Sequence, residues 1–199
     1  MPATPRASTP VVRAQRADDV EIVRDVVTAA FGDRGPEVAD LVTALERRPG
    51  GASYVAELDG LVVGHVHLSW SWLDAPDRVV DVLVLSPLSV APQVQRRGCG
   101  RALVERTIIE AGALGAPLLF LEGDPAYYSR FGFEPASPLG LTAPSVRIPP
   151  PGFQVVTLPS YDPSMTGALV YADTFWALDL VGLRGADLER VGGPFRPGG

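Results

Sequence analysis

From Val20 to Phe31 apolar residues recur at 20, 22, 23, 26, 27 and 31. That is the spacing of one helical face, and Asp18 and Asp19 stand before it as cap residues. Pro36 and Glu37 open a second helix through Val38, Leu41, Val42 and Leu45 that stops near Pro49-Gly50. The period then changes. Ser53 to Leu58 and Leu61 to Trp70 flank Asp59-Gly60, a strong short hairpin signal. A longer strand, Val79 to Val90, contains Pro87, which cannot donate to a ladder, so a bulge or a splayed edge is expected there. A helix follows from Gly98 to about Leu114, then a short apolar strand, Leu118 to Leu121. Asp124-Pro125 reads as a cap and first-turn proline, with Gly132 ending a helix barely longer than one turn. Beyond Pro138 only Phe153 to Leu158 has a clear strand pattern. This order predicts one α/β domain, a mixed sheet with helices on its faces.

The chain has 199 residues, of which 46% are hydrophobic and 20% charged, enough apolar material for one packed core. Its net charge of -6 argues against broad nucleic-acid binding. All 17 basic residues are arginine, a bias we attribute to base composition. The lone cysteine, Cys99, can form neither an internal disulfide nor a zinc cluster. MPATPRASTP lacks the apolar core of a signal peptide, and no apolar run reaches the roughly 18 residues of a membrane span. A cytoplasmic protein without membrane attachment is the expectation. Residues 1–10 and 192–199 read as flexible ends, rich in Pro, Gly and small polar residues.

The segment Leu88-Ser-Val-Ala-Pro-Gln-Val-Gln-Arg-Arg-Gly-Cys-Gly-Arg101 carries the chemistry. A strand ends, a glycine-containing turn follows and a helix begins, and amides at such a start bind anions. Arg96, Arg97 and Arg101 crowd the positive end of the helix dipole, an arrangement that a bound polyanion turns from repulsion into attraction. Arg106, one turn on, is expected to join them. Two nucleotide loops are excluded. There is no G-x-x-x-x-G-K-[ST], and Leu103 stands where G-x-G-x-x-G needs its last glycine.

Gln95-Arg-Arg-Gly98-Cys-Gly100 resembles the Q/R-x-x-G-x-G/A signature of the GNAT N-acetyltransferase superfamily. Ala126-Tyr-Tyr-Ser-Arg-Phe-Gly-Phe133 resembles that family's (F/Y)-Y-x-x-x-G-F segment. The likeness spans Val11 to Phe133, and the wording around Gly123-Asp-Pro-Ala-Tyr-Tyr is similar to a bacterial, YhbS-like branch. It implies a central mixed, mostly antiparallel sheet flanked by helices and splayed at an acetyl-CoA site. Residues 11–140 would form the acyl-CoA-binding core, and 141–191 the C-terminal part of the same domain. The implied donor contacts are Leu88, Ser89, Val90, Gln95, Arg96, Arg97, Gly98, Cys99, Gly100, Arg101, Tyr128 and Arg130, with a backbone N–H near Val90 polarising the thioester carbonyl. Acetyl-CoA would be the co-substrate, with no metal. A small-molecule or peptide amine would be the acceptor, received in a ternary complex. A longer acyl-CoA donor or a non-catalytic CoA-binding module are the rival readings.

Acyl transfer from a thioester to an amine needs a neutral amine and a proton for the departing thiolate. Tyrosine titrates near 10 and is protonated at neutral pH, so Tyr128 is the expected acid. Tyr127 and Phe31 are expected near the acyl or acceptor pocket, and Phe131 and Phe133 in the core. Many relatives carry a mid-strand glutamate, but the equivalent position here is Val84. Asp81, Glu122, His65 and His67 remain as candidate bases, beside a water-relayed or substrate-assisted deprotonation, the preferred reading. The two histidines, at i and i+2 on one strand face, read first as a half-exposed polar face, with a relay or metal role as alternatives. Cys99 reads as core packing. Ser145 to Leu183 is left unassigned between acceptor site, sheet completion and dimer contact.

Overall fold

The computed structural model describes residues 9–191. Val11–Ala14 (β1), Ala52–Leu58 (β2), Leu61–Asp74 (β3) and Val79–Val90 (β4) form an antiparallel run, β1-β2-β3-β4. Val20–Phe31 (α1) and Gly35–Glu46 (α2) lie between β1 and β2 in sequence. Cys99–Ala113 (α3) then crosses over to Leu118–Glu122 (β5), which pairs parallel to β4. Pro125–Tyr128 (α4), Glu134–Pro135 (β6) and Leu141–Thr142 (β7) follow. Phe153–Thr157 (β8) inserts antiparallel between β5 and β6, and Gly167–Val170 (β9) pairs with the far end of β3. Asp173–Ala177 (α5) and Gly185–Arg190 (α6) close the described chain.

Alternation along the strands divides the core between the two faces. Leu83 and Leu85 of β4 and Leu119 and Leu121 of β5 pack with Leu103 and Val104 of α3. Val82, Val84, Leu118 and Phe120 turn the other way, onto Leu41 and Leu45 of α2 and onto Phe153, Tyr171 and Phe175. A third cluster joins α1 to α2 through Val23, Val27, Val38 and Val42. Burying these aliphatic side chains contributes on the order of 1.5–3 kcal/mol each against exposure. Val20 and Ile22, read from spacing as part of the apolar face of α1, are 42% and 38% exposed, so the buried stripe is narrower than the sequence suggests.

Two local features match their sequence signals and one strand end does not. Asp59 and Gly60 both take positive φ (54° and 79°) at the β2–β3 turn, which is what a two-residue hairpin demands. The β3–β4 register slips between Val66↔Leu88 and Leu68↔Leu85, so Ser86 and Pro87 together oppose His67 as a bulge. Strand β3 outruns its expected end at Trp70 because β4 pairs with it as far as Asp74↔Val79 and β9 joins it from Trp72 to Asp74. The expected flexible ends fall outside the described residues, apart from Thr9 and Pro10. No helix among the described residues is long and apolar enough to cross a membrane.

Candidate active site

Strands β4 and β5 are paired only at Leu83↔Leu119 and Val84↔Phe120. Beyond Val84 they part, and the β5-facing edge of β4 from Leu85 to Val90 has no strand partner among the described residues. The proline bulge lies inside this stretch and re-aims it. A cavity of about 810 Å³ fills the fork. Leu88, Ser89, Val90 and Gln95 line it from the β4 side, Tyr127 and Tyr128 from α4, and Phe31 from the end of α1. Seven of the residues singled out in the sequence are thus brought to one space.

The glycine turn stands beside that space. Gly98 is left-handed (φ 88°), as is Arg96 (φ 64°), and no side chain caps α3. The first intrahelical bond runs from the Ala102 N–H to the Gly98 carbonyl, so the amides of Cys99, Gly100 and Arg101 have no partner within the helix. Arg96, Arg97, Gly98, Cys99, Gly100, Arg101 and Arg130 do not line the cavity itself. Arg97 lies 3.7 Å from Asp59 and Arg101 pairs with Glu105 at 2.8 Å, both on the surface. Arg106 departs from expectation. It pairs with Glu110 at 2.6 Å and lies over the Tyr54 ring at 5.3 Å, drawn by the acid one turn along its own helix away from the turn. Cys99 is 1% exposed, and burial pushes its thiol up, as core packing requires.

The Asp124 carboxylate caps α4 by accepting from the Ala126 N–H at 2.8 Å, and Gly132 ends the following turn at φ 87°. The two tyrosines meet edge to face, 4.9 Å between centroids, and Tyr128 stands against Phe133 at 5.9 Å. Gly123 leaves room for the Tyr128 ring, and a side chain there would collide with it. Arg130 donates to the Tyr127 carbonyl and covers that ring at 4.8 Å, so its guanidinium is a lid on Tyr127. Burial pushes the Tyr127 hydroxyl up from its ordinary range.

His65 and His67 are not half-exposed. They are 0% and 1% accessible beneath the end of α2. Ser53 donates its hydroxyl proton to Glu46, so the 2.8 Å contact between Ser53 Oγ and His67 Nδ1 requires the proton on Nδ1. Burial lowers both imidazoles, His65 to about 3 with His67 beside it, and His67 to about 4, so both are neutral at pH 7. The pair lies outside the large cavity, and Asp81 lines a smaller one with His67.

Glu122, the last residue of β5, faces the large cavity. Its Oε1 accepts from the Tyr171 hydroxyl at 2.7 Å and from the Gly182 N–H at 3.4 Å. Burial pushes this carboxyl up to about 7 despite those two bonds and the more distant Arg147 and Arg184. Tyr171 and Gly182 come from the stretch left unassigned in the sequence, and Arg184 directly follows it; that stretch supplies both a strand of the sheet and a wall of the cavity. Their signal was faint: a glutamate closing the buried run Leu118–Leu121, and a tyrosine among alternating apolar residues.

Comparison with known proteins gives this geometry a family. The profile of the acetyltransferase (GNAT) domain matches residues 11–136. An uncharacterized N-acetyltransferase of Escherichia coli K12, YjhQ, is 34% identical over 131 residues, 63% of this chain and 71% of that protein. The uncharacterized N-acetyltransferase YhbS of the same organism is 33% identical over 79 residues, 40% of this chain and 46% of its own length. The crystal structure of E. coli YhbS in complex with CoA superposes with a TM-score of 0.74 at 27% identity, covering 87% of this chain and 95% of that one. A GNAT acetyltransferase from Brucella melitensis in complex with acetyl-CoA gives 0.66 at 27%, covering 83% and 97%. With the domain profile spanning more than half of its residues and its overall fold shared with coenzyme-bearing structures, the chain belongs to the GNAT acetyltransferases.

Proposed function

We propose that the protein moves the acetyl group of acetyl-CoA to a primary amine by direct attack in a ternary complex. The observation that carries this reading is the fork. A backbone edge without a strand partner among the described residues, Leu85 to Val90, runs toward three helix-start amides, with a cavity large enough for a thioester arm between. An extended amide-bearing arm is suited to such an edge, because main-chain N–H and C=O groups recognise amides in any sequence. A diphosphate is suited to the uncapped start of α3, where Arg96, Arg97 and Arg101 are near enough to turn toward it. The coenzymes bound to the YhbS and Brucella proteins support the donor.

In this reading the amine nitrogen attacks the thioester carbon. The C–N bond forms, the C–S bond breaks, and Tyr128 gives its phenolic proton to the departing sulfur. The second proton lost by the nitrogen restores Tyr128. The acceptor enters past Phe31 at the end of α1, opposite Tyr127 and Tyr128.

Thiol release from acetyl-CoA, followed over a panel of amines, tests the proposal. Tyr128→Phe is expected to lower kcat by 10²-fold or more while leaving CoA affinity unchanged. Gly98→Asp is expected to abolish CoA binding by setting a carboxylate beside the diphosphate. Binding of CoA with no thiol release for any amine would instead describe a ligand-sensing module.

A further inference from the structure

The amine presents a problem that the fork alone does not solve. An alkylammonium of pKa near 10.4 is neutral in only about one molecule in 2,500 at pH 7, and the position of the mid-strand carboxylate is held by buried Val84. Among the described residues three carboxylates line the cavity: Asp33, Asp124 and Glu122. Asp33 sits on the exposed turn between α1 and α2, and Asp124 is engaged as the cap of α4. Glu122 is placed differently. It lies two residues past Phe120, the last β5 residue paired with β4, so it stands just beyond the point where the strands part. It also directly precedes Gly123, against which the Tyr128 ring packs. The carboxylate therefore lies between the fork and the proposed acid.

What holds it there comes from outside the matched domain. Both hydrogen-bond donors, Tyr171 and Gly182, lie beyond residue 136, and both converge on the same oxygen, Oε1. Tyr171 is itself buried and tilted against Phe175, so its hydroxyl has a fixed aim. Both donors are neutral groups. The nearest cations acting on Glu122, Arg147 and Arg184, are each bonded to Asp179. The other titratable and charged groups facing this space among the described residues are Tyr127, Tyr128, Asp33, Arg34, Asp124 and Arg190.

We propose that Glu122 is the general base that takes the proton from the acceptor ammonium, and that Tyr171 and the Gly182 amide position its carboxylate. This rests on the acetyltransferase reading above. One proton passes from nitrogen to Glu122 before attack and leaves to water afterwards, so the carboxylate is regenerated in each turnover. A carboxyl titrating near neutrality is matched to that exchange.

Two measurements test it, both on the full chain. The first follows Glu122 by carboxyl-region ¹³C NMR in the wild type between pH 5 and 9. A midpoint near neutrality, moving upward in Tyr171→Phe, is expected; a midpoint below 5 would overturn the proposal. The second takes acetyl-CoA with tyramine, putrescine and Nα-acetyl-lysine as probe amines. Glu122→Gln is expected to lose 10²- to 10³-fold in kcat/KM at pH 7 and to lose the acidic limb of the pH profile, with CoA affinity unchanged. Glu122→Asp should recover part of the rate. Tyr171→Phe should lower kcat/KM at pH 7, recover toward wild type at higher pH and shift the acidic limb upward, a change that mere loosening of the fold would not give. Glu122→Gln within twofold of wild type, with its acidic limb intact, would overturn the base and leave the acetyltransferase standing. No thiol release by wild type with any of the three would overturn the acetyltransferase reading itself.

Discussion

The phenolic oxygen of Tyr127 stands directly in front of the Gly100 α-carbon, so close that a methyl group there would come within 2.6 Å of it. Val90 borders the same spot from β4. The tyrosine of one motif therefore fits into the glycine of the other, and the two form a single surface across the fork.

That relationship sets the first expectation. Alanine at 100 suits a helix better than glycine, by up to about 1 kcal/mol. Gly100→Ala should thus leave the melting temperature nearly unchanged while driving the Tyr127 hydroxyl into the mouth. CoA affinity, measured by calorimetry, should fall about tenfold, close to 1.4 kcal/mol. Adding Tyr127→Phe should restore most of it, because the displaced atom is the hydroxyl. Unchanged affinity in Gly100→Ala would show that this surface does not meet the coenzyme.

Gly123 makes a different contact, with the face of Tyr128 rather than its tip. A side chain there must push the ring aside. A displacement of about 1 Å at a catalytic group can cost 10²-fold in rate. Gly123→Ala should therefore lower kcat by about that factor in a thiol-release assay and leave CoA binding within twofold.

Asp19 ties the first strand to the first helix. It accepts from Arg13 at 2.6 and 2.9 Å and from the Arg16 N–H at 2.7 Å, while Arg13 also reaches Glu57. Its carboxyl falls from 3.8 to about 2, chiefly through the bond from Arg13. A lowered acid stabilises the fold above its unfolded pKa and loses that contribution as pH falls through the folded one. Asp19→Asn should cost about 2 kcal/mol in urea unfolding at pH 7 and progressively less below pH 4.

Glu122 and the buried histidines act on stability in opposite directions. The raised Glu122 binds a proton in the folded state that the unfolded chain has released, so stability drops as pH rises from about 4.5 to 7. The lowered His65 and His67 stay neutral where the unfolded chain takes up protons, so stability drops as pH falls below about 6.5. Between pH 4.5 and 6.5 the two trends oppose each other. Glu122→Gln should expose the histidine trend alone, giving a melting temperature that climbs more steeply with pH over that window than in wild type. Parallel curves would refute the assignment.

Much of the fold was legible because its signals are local. Asp59-Gly60, Asp124-Pro125 and Gly132 each act within a few residues, and Pro87 announced the bulge by its missing N–H. Six of those seven cavity-lining residues were readable because they lie on or beside two short motifs at fixed spacing, and Phe31 because it ends a clearly periodic helix. The histidines misled for a physical reason. Alternation shows that His65 and His67 share a face, but not that α1 and the end of α2 close over it, since that depends on distant contacts such as those with Glu46 and Ser53. Tyr171 was invisible as a partner of Glu122 because 49 residues separate them and β8 and β9 must both dock before they meet. Arg106 misled because its position along α3 does not say which way a long side chain leans.

The two-residue seam joining β4 to β5 has a consequence for how this enzyme can change. On one bank of the gap lie main-chain atoms and glycines, which few mutations can restyle without unfolding the sheet. On the other lie side chains from the last third of the chain, docked onto a strand that already exists without them. Under the proposed reaction, new acceptors would be recruited by rewriting that tail, while the donor site we propose on the first bank keeps its residues.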